Sequence, residues 1–271
     1  MIKRDESNVD NEKRGKLLLL AALLALAMFV FKISQTQSLP IWRTYINSAI
    51  YAVVVIVGLL WSFNFQVKKK SILYISQAAL FVFSEALFVE MFFFQKFNRL
   101  YEAIILLILI GIVFLANYFA FLMVNVLNVN QFKNIPLVQV GRTVSYLISI
   151  SMIYFFTFSF LVSSFVPYVI LPLIVISYFV VTLIHYINTD LDGSELLRKT
   201  AITTLISTII LLSVVFSGNL HEVISFAPVV GYYFSVNTVT HEKISNGKVE
   251  SIYRYIFVLV LLLLVIFLLN I

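Results

Sequence analysis

The sequence predicts an all-α fold, a polytopic transmembrane helix bundle of about nine spans with a cytoplasmic N-terminus and an external C-terminus. Three observations predict it. Of 271 residues, 61% are hydrophobic and 12% charged, with a mean hydropathy of +1.01, whereas a soluble domain carries about 25% charged residues and about half apolar ones. The apolar residues gather into runs of the length a helix needs to cross lipid, about 20 residues with a range near 17 to 25. The basic residues between those runs favour every second loop, which is a topology signal.

In chain order the runs are 17–33, 44–65, 71–94, 102–127, 143–165, 167–187, 201–217, 222–239 and 255–271. Each is apolar on every side, unlike the short alternating segments of a membrane β-barrel. In lipid the backbone must satisfy its own hydrogen bonds, which makes such runs helices. Ahead of them, residues 1–16 hold five basic and four acidic side chains and little apolar content. They read as a flexible, solvated cytoplasmic tail, with headgroup or partner binding as the lesser reading. Residues 17–271 then form a single transmembrane domain. The basic tail and first run resemble a secretory signal, but Ala25-Leu26-Ala27 falls inside the apolar run and not after it. An uncleaved signal anchor is expected.

With the N-terminus inside, the inner loops hold 15 of the 19 basic residues. The outer loops hold only Lys32, Arg43, Lys96 and Arg99. The weakest span is 222–239, short and interrupted by Pro228 and Gly231. If it failed to cross, Lys243, Lys248 and Arg254 would move outside and the bias would fall to 12 against 7. A crossing fits the positive-inside rule better. Localisation in the cytoplasmic membrane as a multi-pass protein follows.

The net charge of +6 is scattered between apolar runs, which suits lipid headgroups and not nucleic acid. The lipid bilayer is the expected partner, with other membrane proteins as candidates; no nucleic acid partner is expected, and oligomeric state is not legible. Cysteine is absent, which excludes disulfides and thiolate chemistry.

Polar groups inside the runs are the candidate functional residues, because a carboxylate at the centre of a span costs at least about 2.5 kcal/mol on insertion scales. Glu85 and Glu90 share the third run, Glu85 roughly 20 Å from its Lys70 end. Five residues at about 100° each set them some 140° apart, so they form no paired acid/base or shared metal site. The ordinary account has Glu90 reaching outward to Lys96 or Arg99 and Glu85 protonated or hydrogen-bonded in the bundle. The functional account makes Glu85 a proton or cation relay. Asn117, Asn125 and Asn128 fall on one face of the fourth run. Asn47, Tyr51, Gly58 and Ser62 form a stripe on the second, and Thr200, Thr204, Ser207 and Thr208 on the seventh. Helix packing explains such stripes more readily than a polar substrate path.

Asn188-Thr-Asp-Leu-Asp192-Gly193 matches the start of a calcium loop, but Lys199 stands where a bidentate glutamate is needed. A turn capped by Asp192 or Ser194 is the simpler reading. His221-Glu222 and His241-Glu242 fall on opposite sides of the membrane, and His185 reads as an interfacial side chain near the end of the sixth run. No metal ligand, cofactor-binding residue or nucleophile–base constellation is expected.

The stretch joining the fourth and fifth runs reads as a cytoplasmic hinge, with Pro136 forbidding a continuous helix. It contains Val124-Asn-Val-Leu-Asn-Val-Asn, then Asn134-Ile-Pro-Leu, then Val140-Gly-Arg-Thr-Val-Ser. These residues resemble a bacterial family of small polytopic membrane proteins of unknown function. Its pattern, N-x-F-N-V-A, a basic residue, I-P-L and A-R-T-V-S-F-L, matches at Asn125, Asn128, Pro136 and Arg142. Leu127 stands where the family often has Phe, and Lys133 supplies the basic residue. Gly231-Tyr-Tyr and Tyr253-Arg-Tyr255 are also similar, so the likeness covers about the last two-thirds of the chain. The resemblance implies a shared membrane architecture and no assigned activity.

A scaffold or assembly partner for membrane components is therefore the leading expectation, and an enzyme is not favoured. A small-solute or ion transporter using Glu85 and the asparagine face is the first alternative. A lipid-processing enzyme using Asn125, Asn128 and Arg142 on the cytoplasmic side is the second.

Overall fold

The computed structural model describes residues 6–34, 40–67, 69–92, 100–128, 135–163, 165–189, 191, 193–215, 221–241 and 260. Regular structure among them is helical throughout: α1 (Glu6–Ser34), α2 (Ile41–Ser62), α3 (Lys69–Phe92), α4 (Leu100–Asn128), α5 (Ile135–Val162), α6 (Pro167–Asn188), α7 (Gly193–Val215), α8 (His221–Ile224) and α9 (Phe226–His241). The first seven are long and apolar enough to cross a bilayer. The chain is accordingly a multi-pass integral membrane protein.

Of the two further spans expected from sequence, 255–271 lies outside the described residues apart from Val260, which is helical and exposed. The segment 222–239 is divided at Ser225 into α8 and the 16-residue α9. The division has a local cause. Pro228 has no N–H for the Ile224 carbonyl and its ring crowds that turn, so a new helix starts with proline in its first turn, where no donor is lost. At about 1.5 Å per residue α9 is about 24 Å long, shorter than α1 to α7.

Proline also sets other boundaries. Pro40 caps α2 in an extended conformation, φ −58° and ψ 142°. Pro167 opens α6 after the extended Val166. Pro136 differs from expectation: it lies not in mid-hinge but in the first turn of α5, which begins at Ile135. Its missing N–H costs nothing there. Helix α1 likewise reaches back to Glu6, into the stretch read as a solvated tail, and Lys16 meets Glu12 one turn away at 2.8 Å.

Helix α2 ends in a Schellman turn. Asn64 has φ 53°, the Phe65 N–H reaches the Leu60 carbonyl at 2.8 Å and the Asn64 N–H reaches Trp61 at 3.0 Å. Asparagine tolerates the left-handed conformation that this turn requires.

Contacts group the chain into two compact units, 1–145 and 146–271. In the first, α2 packs on α3, α1 on α4 and α2, and α3 on α4. Helices α2 and α4 turn long apolar rows outward, among them Ile50, Val53 and Val57, and Ile104, Ile108 and Ile112. Thr44, Ser48 and Ser62 of α2 and Asn117 of α4 are buried instead. That is the arrangement lipid demands. In the second unit, α7 packs on α6 and α9, with the short α8 against both α7 and α9.

Glycine permits two of these approaches. A Cβ on Gly58 would lie 2.5 Å from Leu20 Cδ1 of α1, and one on Gly231 would lie 3.2 Å from the Ser207 Cα of α7. The second-run stripe therefore faces a helix: Gly58 meets Leu20, and the Tyr51 hydroxyl donates to the Ala27 carbonyl at 3.4 Å.

Candidate functional site

Helix α3 is a polar spine inside the first unit. Near its start the Ser71 hydroxyl donates to Asn128 Oδ1 of α4. About two turns on, Gln77 and Ser145 of α5 make a reciprocal pair. Gln77 Nε2 donates to the Ser145 carbonyl at 3.0 Å, and Ser145 Oγ donates to Gln77 Oε1 at 2.9 Å. Further along, Asn117 Nδ2 of α4 donates to Glu85 Oε2 at 2.8 Å. At the far end Lys32 of α1 meets Glu90 at 3.1 Å and donates to its backbone carbonyl at 2.7 Å. Each level of α3 is thus tied to a different neighbour or a different part of one. Amide and hydroxyl pairs of this kind are the ordinary glue of helices in lipid.

These contacts fix helix direction. Lys16 of α1 lies 3.4 Å from Asn64 beyond the end of α2, and Ser71 at the start of α3 meets Asn128 at the end of α4. Lys32 and Glu90 meet where α1 and α3 end. Successive helices of this unit therefore run in alternating directions.

Glu85 and Glu90 have separate partners, Asn117 and Lys32, on different helices. Lys96 and Arg99, expected as partners of Glu90, lie outside the described residues. The asparagine face of α4 is used unevenly. Asn117 and Asn128 both reach α3, while Asn125 Oδ1 and Asn117 Oδ1 are enclosed without a hydrogen-bond partner. Arg142 is half-buried one turn before Ser145. Gly141 beside it packs against Leu127, where a Cβ would be 3.2 Å from Cδ2.

The second unit holds a cluster that the sequence reading missed. His185 is not interfacial but buried, with 4% exposure. Its ring lies 5.4 Å from that of Tyr146 on α5, 5.5 Å from Tyr186 and 6.1 Å from Tyr232 on α9. Tyr146 and Tyr232 stack at 6.2 Å. Asn237 Nδ2 donates to the Tyr146 hydroxyl at 3.3 Å, and the Tyr186 hydroxyl meets Thr203 Oγ1 of α7 at 2.8 Å. Deeper along α5 and α6, Thr157 and Tyr178 share a hydroxyl bond of 2.5 Å. A signal was available: the glycine-tyrosine pair of α9 and the lone histidine of α6 are both rare polar marks within apolar runs.

Of the calcium-loop match, Asp190 and Asp192 lie outside the described residues, and Asn188 and Lys199 are buried helical side chains. Among the described residues no three His, Asp or Glu side chains gather as a metal would require. No family model, curated protein or solved structure matches this chain.

Proposed function

We propose that the chain is a scaffold or assembly partner for other components of the cytoplasmic membrane. The observation that supports it most is the polar spine. At four levels of α3 a polar side chain is engaged by a neighbouring helix: Ser71 by Asn128, Gln77 by Ser145, Glu85 by Asn117 and Glu90 by Lys32. Chemistry spent on fastening helices gives a firm body, while the outward apolar rows of α2 and α4 suit neighbours within lipid. The test is native mass spectrometry of the chain extracted from its own membrane in polymer-bounded discs. A heteromer of fixed stoichiometry with another membrane protein is expected. The chain alone, at every extraction, contradicts the reading.

The topology proposed with it has nine crossings, N-terminus inside and C-terminus outside. Two facts support α8 and α9 as a crossing. Ala227, Pro228, Val230, Tyr232, Ser235 and Val236 are all buried, unlike one face of a helix lying on a membrane surface. Tyr154 lies 4.6 Å from Phe226 and Tyr146 bonds Asn237, so α9 runs antiparallel to α5.

A second reading, a proton- or cation-coupled transporter, is favoured by one observation: Asn117 Oδ1, beside Glu85, is enclosed without a partner. In proteoliposomes that reading expects flux that Glu85→Gln abolishes. Flux unchanged in the variant removes Glu85 from any transport mechanism.

A further inference from the structure

The two tryptophans of the chain, Trp42 and Trp61, both belong to α2, one residue inside each of its ends. A separation of 19 positions at about 1.5 Å each sets them about 28 Å apart along the helix axis. A bilayer's hydrocarbon core is about 30 Å thick. Neither ring is enclosed, Trp42 being 59% exposed and Trp61 45%. Between them Ile46, Ile50, Val53 and Val57 are exposed as well. At about 100° per residue all six fall within about 100° of the helix surface, as one stripe. The other side of α2 is the buried one, with Thr44, Ser48, Val55, Leu59 and Ser62.

A cation lies over each ring. Arg43 Cζ is 5.2 Å from the centre of Trp42, and Lys16 Nζ is 5.1 Å from that of Trp61. Lys16 is also held by Glu12 and Asn64, so its charge is already answered. What the two cations mark is level, because charged heads stay where water and headgroups reach. Indole has an apolar body and one N–H donor, which suits the boundary between acyl chains and headgroups.

A ring at each end of one apolar stripe, a hydrocarbon thickness apart, is a pattern that lipid explains. A partner helix does not explain it. Helices that pair in lipid are enriched in small residues at the contact, yet Ser48 and Ser62 are buried and Gly58 is pressed on Leu20.

We propose that the outward stripe of α2 is covered by lipid and not by protein, with Trp42 and Trp61 seated at the two headgroup interfaces of one bilayer. With the N-terminus inside, Trp61 lies at the cytoplasmic interface and Trp42 at the outer one. A scaffold partner would then meet the row of α4, which holds no tryptophan; the lipid contact of α2 does not depend on that partner.

The test uses the full chain in phosphatidylcholine vesicles whose acyl chains are brominated either near the headgroup or near the chain end. Bromine quenches an indole only on close approach. Trp61→Phe leaves Trp42 as the sole tryptophan, and Trp42→Phe leaves Trp61. Each remaining ring should be quenched at least about twofold more strongly by the shallow bromines than by the deep ones. With both tryptophans replaced by phenylalanine, Val53→Trp, at the middle of the stripe, should show the reverse order. If that variant fails to fold, the two single-tryptophan chains decide the question, and the unaltered chain, whose rings should both be shallow, checks them. A tryptophan quenched by neither lipid lies against protein or in water, and one quenched best by the deep bromines lies inside the slab. Either result overturns the proposal.

Discussion

Lys32 and Glu90 lie 58 residues apart in sequence and 3.1 Å apart in space, with side-chain exposures of 16% and 6%. Removing one partner of a fully buried pair costs about 3–5 kcal/mol; with Lys32 reaching the surface, about 2 kcal/mol is expected for Lys32→Met or Glu90→Gln. The double variant should cost clearly less than the two singles together, measured by unfolding in bilayers or mixed micelles. Strict additivity would mean that the pair contributes no coupling. At this scale the sequence was informative about residues and silent about pairings. Glu85 and Asn117 stand out because lipid makes polar groups expensive. That Glu85 pairs with Asn117, or Gln77 with Ser145 at a separation of 68 residues, depends on which helices adjoin. Residue order does not carry that. His185 was misplaced for the same reason, since an imidazole near a helix end is interfacial or buried according to what packs over it, here Tyr146 and Tyr232.

Between elements, small residues decide the spacing. Gly231 lets α9 approach α7 until a Cβ would be 3.2 Å from the Ser207 backbone and 2.9 Å from Ile210 Cδ1, whereas a Cβ on Gly111 meets nothing within 4 Å. Overpacking a tight contact costs about 1–3 kcal/mol, so Gly231→Ala should lower stability by that order. Gly111→Ala should be neutral or stabilising by up to about 1 kcal/mol through helix propensity. Equal effects of the two in a melting assay would contradict the close approach of α9. Helices α1 to α7 were legible from run length alone, because lipid imposes that length. Boundaries were less so: Pro136 marks a helix start as readily as a loop, and the break between α8 and α9 turns on a single residue, Ser225, ahead of Pro228.

For the whole molecule, directions and charge converge on one account. Alternating helices in the first unit put Lys16, Asn64, Ser71 and Asn128 at one end and Lys32 with Glu90 at the other. Under the proposed nine-span topology 15 of the 19 basic residues fall on alternate loops, and the positive-inside rule then puts the first end in the cytoplasm. The second unit follows if α8 and α9 cross. The absence of cysteine makes this directly measurable, since any introduced thiol is the sole target for a membrane-impermeant maleimide. Ser38→Cys and Asn270→Cys should label in intact cells, and Ser245→Cys only after permeabilisation. Labelling of Ser245→Cys from outside, with Asn270→Cys protected, would contradict the crossing of α8 and α9 and the nine-span topology with it.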